Sequence, residues 1–150
     1  MWNQDKSVVL SSICTRVVIA IALVLAVVLP FVAQGGFFDN RSLIPTQLVA
    51  LVLPVYYAFC VPALVALFSL DRLLAAIKRG AVFTPANVRL LRVISWACFA
   101  AAVILAVSTV VSIVFGFIAL LAVFFGMILR VVKNLFAAAV ELKTENDFTI

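Results

Sequence analysis

Residues 71–92, DRLLAAIKRGAVFTPANVRLLR, form a charged stretch in a chain that is otherwise mostly apolar. They hold five of the eleven Lys and Arg residues and one Asp, which gives a local charge of +4. The runs on either side, residues 42–70 and 93–129, contain no Asp, Glu, Lys or Arg. The location of this stretch, hereafter the elbow, therefore decides how the rest of the chain is oriented.

The composition is that of an integral membrane protein. Of the 150 residues, 67% are hydrophobic and 11% are charged, whereas soluble domains are about half apolar and about a quarter charged. The uncharged runs 17–38, 42–70 and 93–129 are 22, 29 and 37 residues long. About 20 apolar residues cross the roughly 30 Å hydrocarbon core of a bilayer. Each run is therefore long enough to cross, and we expect the first to be retained as a span.

The pattern within the elbow predicts a helix, a tight joint and a second helix. Gly80 follows two basic residues and is a frequent C-terminal stop of a helix. Thr84 followed by Pro85 is typical of a new N-terminus, with Thr as the cap and Pro in the first turn. Phe83, which precedes the cap, is placed to pack on Val88 as a hydrophobic staple.

The run 93–129 is too long for one span, because as a helix it would measure roughly 55 Å. Basic residues close both of its ends, which favours a hairpin with its turn at the least apolar point, residues 108–112. The predicted fold is an all-α integral membrane four-helix bundle in a single domain. Its spans are about 17–33, 46–70, 88–107 and 113–132, with the elbow at 71–92 and a tail at 133–150.

The distribution of Lys and Arg predicts the orientation. With four spans, ten of the eleven basic residues share one side and Arg41 alone lies opposite. Since basic residues concentrate on the cytoplasmic side, both termini, the elbow and the tail are expected there. Glu145, Asn146 and Asp147 are predicted to end the last helix. Glu141, Glu145 and Asp147 either fold back on the basic elbow or remain on a separate solvated surface.

The second span is the one with polar groups at mid-depth and two internal prolines. Tyr56 and Tyr57 lie between Pro54 and Pro62. One interpretation is a bent helix whose tyrosine hydroxyls bond to neighbouring carbonyls, as polar groups in lipid must. The other is an irregular helix that lines a small-molecule path, as broken helices do in transporters. Both interpretations stay open at this point.

Catalytic chemistry has little support in the residue types present. The chain has no His, and Cys14, Cys60 and Cys98 are far apart, so no metal, cofactor or catalytic site is predicted. The uncharged runs lack the ionisable groups that ion-coupled transporters keep within the membrane. The basic residues lie at the ends of apolar runs without a base-stacking platform, which argues against direct binding of nucleic acid. We expect a protein that is not an enzyme and whose first partner is the lipid bilayer.

Two motifs together resemble a family of small bacterial membrane proteins. One is the elbow sequence GAVFTPAN at residues 80–87, followed by Leu90, Leu91 and Arg92. The other is the C-terminal signature, KNLF at residues 133–136 and ELK at 141–143 through ENDFTI at 145–150, with Phe148 where Leu is usual. The resemblance implies a four-span domain of unknown function in the bacterial plasma membrane, often encoded beside a helix-turn-helix regulator of the Xre/Cro type. It singles out the following residues as a candidate interaction motif: Gly80, Phe83, Thr84, Asn87, Arg92, Glu141, Glu145, Asn146, Asp147 and Thr149.

The leading hypothesis is a non-enzymatic membrane module whose cytoplasmic elbow and tail bind another protein. The resemblance supplies the neighbouring helix-turn-helix regulator as the candidate partner. The alternative is a small uncoupled carrier or protective, immunity-type membrane protein that uses the bent second span. Small residues spaced four apart, such as Ala122 and Gly126, favour close packing of helices. They leave the choice between monomer and dimer open.

Overall fold

The computed structural model describes residues 4–33 and 46–149, and it is almost entirely helical in these ranges. The described elements are α1 (Gln4–Ala33), α2 (Thr46–Lys78), α3 (Pro85–Val107) and α4 (Ile113–Phe148), with a 3-10 turn at Ser108–Val110. All four helices are long and apolar enough to cross a membrane. The prediction of an all-helical chain with four such helices is therefore confirmed.

The helices pack in chain order: α1 on α2, α2 on α3, and α3 on α4. The turn between α3 and α4 coincides with the predicted residues 108–112, and Ser112 accepts a bond from the amide of Val114 as the N-cap of α4. At the tip of this turn Val110 is 95% exposed. The loop predicted between the first two spans, residues 37–41, lies outside the described residues.

The tyrosine hydroxyls join α2 to α1. The Tyr57 hydroxyl donates a hydrogen bond of 2.8 Å to the carbonyl of Ala26, and the Tyr56 hydroxyl donates a longer one, 3.4 Å, to the carbonyl of Ala22. Helix α2 continues through both of its internal prolines. These bonds satisfy two polar groups in apolar surroundings, as lipid requires, and they favour the packing interpretation of this span over the path.

Small residues bring α3 and α4 close together. The Ser95 hydroxyl donates a buried hydrogen bond of 3.0 Å to the carbonyl of Gly126. A methyl group added at Gly126 would lie 3.2 Å from the ring of Phe99, so the absence of a side chain is what admits the ring. Ala97 and Ala101 of α3 are also buried and lie four residues apart. This helix pair has the close contact expected where lipid gives no hydrophobic drive for association.

The buried apolar core is small and lies near the elbow. Leu73 of α2 packs with Leu91 and Ile94 of α3, and Val132 and Phe136 of α4 lie against them. Elsewhere, many large apolar side chains on all four helices are exposed. In water such a surface would be an unusually large apolar patch, whereas in a bilayer it would face lipid. Because Leu73, Leu91 and Ile94 pack against α4, this buried cluster holds the elbow against the neighbouring helices.

The predicted end of the last helix is wrong. Helix α4 continues through Glu145, Asn146 and Asp147 to Phe148, and Thr149 is its C-cap. Acidic and amide side chains cost a helix only a few tenths of a kcal/mol each, which is too little to stop one that is already propagating. The Thr149 hydroxyl also bonds to the carbonyl of Glu145, 2.6 Å away, and occupies an acceptor of the last turn.

Candidate interaction surface

Gly80 ends α2 in the left-handed conformation that the joint requires. Its φ is +76°, a region that residues with a Cβ rarely enter. The amide of Gly80 donates to the carbonyl of Ile77, and that of Ala81 donates to the carbonyl of Ala76. This pair of bonds is the Schellman arrangement that satisfies the last carbonyls of a helix. The chain can therefore reverse within a few residues.

Asn87 closes the elbow from inside. Its side chain is 1% exposed, and its amide nitrogen donates bonds of 2.7 Å to the carbonyls of both Ala81 and Val82. Thr84 caps α3 in extended conformation and accepts from the Asn87 backbone amide, with Pro85 in the first turn. One buried side chain thus pairs two loop carbonyls that would otherwise lack partners.

Phe83 connects the elbow to α4. Its ring lies 5.6 Å from that of Phe136, centroid to centroid, at an angle of 44°. This spacing is within the range of favourable aromatic pairs. The sequence predicted a local contact with Val88, and the aromatic partner on α4 was not predicted. The contact attaches the joint to the start of the C-terminal tail.

An ion pair joins α1 to the first residue of the elbow. The Nε atom of Arg16 lies 3.1 Å from a carboxylate oxygen of Asp71. This pair was not predicted, although the sequence carries a signal for it. Arg16 precedes one uncharged run and Asp71 follows the next, so antiparallel spans place both at the same depth. The contact puts α1 at the charged end of the helix array with the elbow.

The tail acids do not fold back on the elbow. Within the described part of the chain, no salt bridge joins Glu141, Glu145 or Asp147 to an elbow cation. At about 100° per residue, Glu141 lies roughly 140° around α4 from Phe136, and Glu145 lies roughly 180° around. Because Phe136 is the residue that contacts the elbow, both glutamates point away from it. Asp147 is on the same side of α4 as Phe136 but lies 11 residues, or roughly 16 Å of helix, beyond it. The separate solvated surface is the arrangement observed.

The end of α4 projects beyond the core as an exposed helix. From Glu141 to Thr149 every side chain is exposed, including Leu142 at 67% and Phe148 at 86%. Phe148 is 12 residues, or roughly 18 Å of helix, past Phe136. This projection presents acidic, amide, hydroxyl and apolar side chains together. Asn146 and Thr149 are among them.

The remaining candidate residues occupy separate places. Arg92, the last residue of the elbow, lines a cavity with residues of α4. Pro62 is buried beside an apolar groove between α2 and α3, whereas Tyr56 and Tyr57 face α1. Pro54 is exposed. The structure therefore does not bring the prolines and tyrosines of α2 together around one cavity.

The elements of this surface shape the backbone and present side chains for contact. Within residues 4–33 and 46–149, no group of three or more His, Cys, Asp or Glu side chains is placed to hold a metal ion. Gly80, Thr84 and Asn87 shape the backbone, Phe83 fastens the joint, and the tail presents exposed side chains. The ordered elbow and the projecting tail together form a rigid base with an accessible helix.

Comparison with models of known families matches residues 8–150 to a family described as "Protein of unknown function (DUF2975)". No curated protein matches the chain. No solved structure matches it either.

Proposed function

Because the chain belongs to the DUF2975 family, whose function is unknown, we propose a function from its own surface: a non-enzymatic membrane module that binds a cytoplasmic protein through its elbow and tail. The protein resides in the bacterial plasma membrane as a four-span protein. Both termini and the elbow face the cytoplasm, because basic residues concentrate on that side.

The projecting end of α4 is the single observation that carries this proposal. Exposed Leu142 and Phe148 lie beside acidic residues on a helix that extends well past the core. An exposed helix with apolar anchors is a common ligand for a groove on a partner protein. Asn87 and the contact between Phe83 and Phe136 hold its base in one place, so that little order must be gained on binding.

The partner that fits is basic, and a helix-turn-helix regulator has that chemistry. Glu141, Glu145 and Asp147 are all exposed on the projection. DNA-binding domains carry basic surfaces that face phosphate, and an acidic helix complements such a surface. The resemblance of the elbow and tail motifs provides this class of partner. Binding of the tail would hold the regulator at the membrane and compete with its DNA.

Co-purification tests the proposal with the full chain in detergent and the helix-turn-helix regulator encoded nearest to its reading frame. The unaltered chain is expected to retain the regulator, and excess operator DNA to release it. The combined change Leu142→Ala and Phe148→Ala should weaken retention at least tenfold, because hot-spot anchors carry about 2 kcal/mol or more each.

The matched control is Leu120→Ala, which removes an equally exposed leucine from the middle of α4. It should leave retention unchanged. If the unaltered chain does not retain the regulator, or if deletion of the gene leaves the regulator's target transcripts unchanged, the proposal fails. If Leu120→Ala weakens retention as much as the tail variant, the contact is not specific to the tail.

A further inference from the structure

A cationic cavity lies between α3 and α4, where the elbow ends at Arg92. It encloses about 300 Å³ and is lined by Arg92, Ser95, Trp96, Arg130 and Lys133. Three of these five residues are basic, and none is acidic. The Ser95 hydroxyl already donates to Gly126, so the three cations and the indole N–H of Trp96 are the polar groups left to bind a ligand. Such a lining attracts a compact anion.

The geometry of the cavity is set by an aromatic contact. The guanidinium of Arg130 lies 5.6 Å from the centre of the Trp96 ring and 6.0 Å from that of Phe99. Both distances are within the range of cation–π attraction. The exposed Arg130 side chain is therefore positioned over the rings of α3. A positioned guanidinium is suited to phosphate because its planar fork matches two phosphate oxygens.

The depth of the cavity is that of lipid headgroups. Arg92 and Arg130 bound the uncharged run 93–129 on its two sides, and the bond between Ser95 and Gly126 aligns the two antiparallel helices at this level. The cavity therefore lies where the apolar part of the helix pair ends. A phosphate of a bilayer headgroup lies at the same boundary.

An apolar groove of about 500 Å³ continues from the cavity along the contact between α2 and α3. The two share Arg92 and Trp96 in their linings. On α3 the groove extends from Arg92 to Ile104, 12 residues or roughly 18 Å of helix. Half of a hydrocarbon core is roughly 15 Å. The groove thus has the length and the lining that suit an acyl chain.

We propose that the cavity and the groove together bind one anionic phospholipid of the leaflet at the charged end. Its phosphate contacts Arg92, Arg130 and Lys133, and one acyl chain follows the groove past Ala100. A free phosphate would leave the groove empty, and a neutral apolar molecule would leave three cations unpaired. Basic sites between membrane helices bind anionic headgroups in this way. The inference does not depend on the proposed protein partner.

Native mass spectrometry of the full chain in detergent tests the site. The probes are dioleoyl phosphatidylglycerol and dioleoyl phosphatidylcholine, which have the same acyl chains and differ in headgroup charge. We expect phosphatidylglycerol to be retained at least about tenfold more tightly, since each basic residue near an anionic headgroup contributes roughly fivefold. Equal retention of the two lipids would overturn the proposal.

A charge-matched pair of variants separates this site from general attraction. The cavity variant replaces Arg92, Arg130 and Lys133 with Gln, and the control replaces Lys78, Arg79 and Arg89 with Gln. Both lose three positive charges at the same end of the chain. The cavity variant should lose the preference for phosphatidylglycerol and the control should keep it. Equal loss in both variants would mean that only the net charge attracts lipid.

A third variant tests the groove with all cations in place. Ala100 is exposed in the groove lining, and Ala100→Trp fills the groove without a change of charge. Retention of phosphatidylglycerol should fall at least tenfold, and inorganic phosphate at the lipid concentration should not displace the lipid from the unaltered chain. If Ala100→Trp binds as before, or if phosphate alone saturates the site, the ligand is a free anion and the lipid proposal is wrong.

Discussion

Asn87 and Thr84 shape the elbow through hydrogen bonds to its backbone. Asn87 pairs the carbonyls of Ala81 and Val82, and Thr84 caps the next helix. Gly80 supplies the one positive φ among the described glycines. These residues belong to the motif that resembles the family, and each has a specific structural role. The elbow is thus a folded joint with a defined shape.

Replacement of Asn87 by Asp should lower the stability of the folded chain. The substitution keeps the size of the side chain but removes its donors, which leaves two carbonyls unpaired beside a buried carboxylate. We expect the free energy of unfolding to fall by about 2–3 kcal/mol, measured by denaturation in detergent. Asn134→Asp, at an exposed position of α4, is the control and should change it by less than about 0.5 kcal/mol. Equal effects at the two positions would contradict the role assigned to Asn87.

Much of the elbow is predictable from its residue types. Gly after a basic helix end and Thr before Pro are local signals that depend only on neighbouring residues. The bonds of Asn87 are not predictable in the same way, because they depend on the path of the loop between the two signals. The ion pair of Arg16 and Asp71 depends on how the first two spans are aligned. That alignment can be predicted only by matching the start of one uncharged run with the end of the other.

At the scale of helices, hydrogen bonds to backbone carbonyls hold neighbouring elements together. Tyr57 bonds α2 to Ala26 of α1, and Ser95 bonds α3 to Gly126 of α4. The hydrophobic effect contributes little to the association of helices within lipid. Such hydrogen bonds and close packing therefore supply more of the stabilisation. Tyr57 therefore serves to position α1 against α2.

Tyr57→Phe should weaken this contact more than Tyr56→Phe does. The hydroxyl of Tyr57 is 2.8 Å from its acceptor, whereas that of Tyr56 is 3.4 Å from its own. Loss of the shorter bond should cost about 1 kcal/mol and loss of the longer one less. Thermal unfolding of the two variants in the same detergent gives the ranking. The reverse ranking would favour the interpretation of α2 as the lining of a small-molecule path. So would a variant that keeps its stability but loses the cellular function of the protein.

The length of α4 shows where patterns in the sequence are insufficient. Glu145, Asn146 and Asp147 disfavour a helix only weakly. How far the helix extends through them therefore depends on the helix that has already formed. The tail acids stay away from the elbow cations because α4 is helical through Glu141 and Glu145. At about 100° per residue this places both glutamates on the side away from Phe136.

At the scale of the whole molecule, charged residues are concentrated at one end of the helix array. The pair of Arg16 and Asp71, the elbow, and the cavity between Arg92 and Arg130 lie at one end of the helix array. The opposite tip, at Val110, is apolar and exposed. The proposed protein partner needs this charged end to face the cytoplasm, whereas the proposed lipid needs it to lie at the headgroups of one leaflet. The orientation of the charged end is therefore decisive for the proposed function.

Labelling of single cysteines in intact cells tests this orientation most directly. In a chain whose Cys14, Cys60 and Cys98 are replaced by Ala, one cysteine is placed at exposed Ala81, Val110 or Lys143. A maleimide that cannot cross membranes should label Val110→Cys in intact cells. It should label Ala81→Cys and Lys143→Cys only after the cells are permeabilised. Labelling of Lys143→Cys or Ala81→Cys in intact cells, with Val110→Cys protected, would contradict the account.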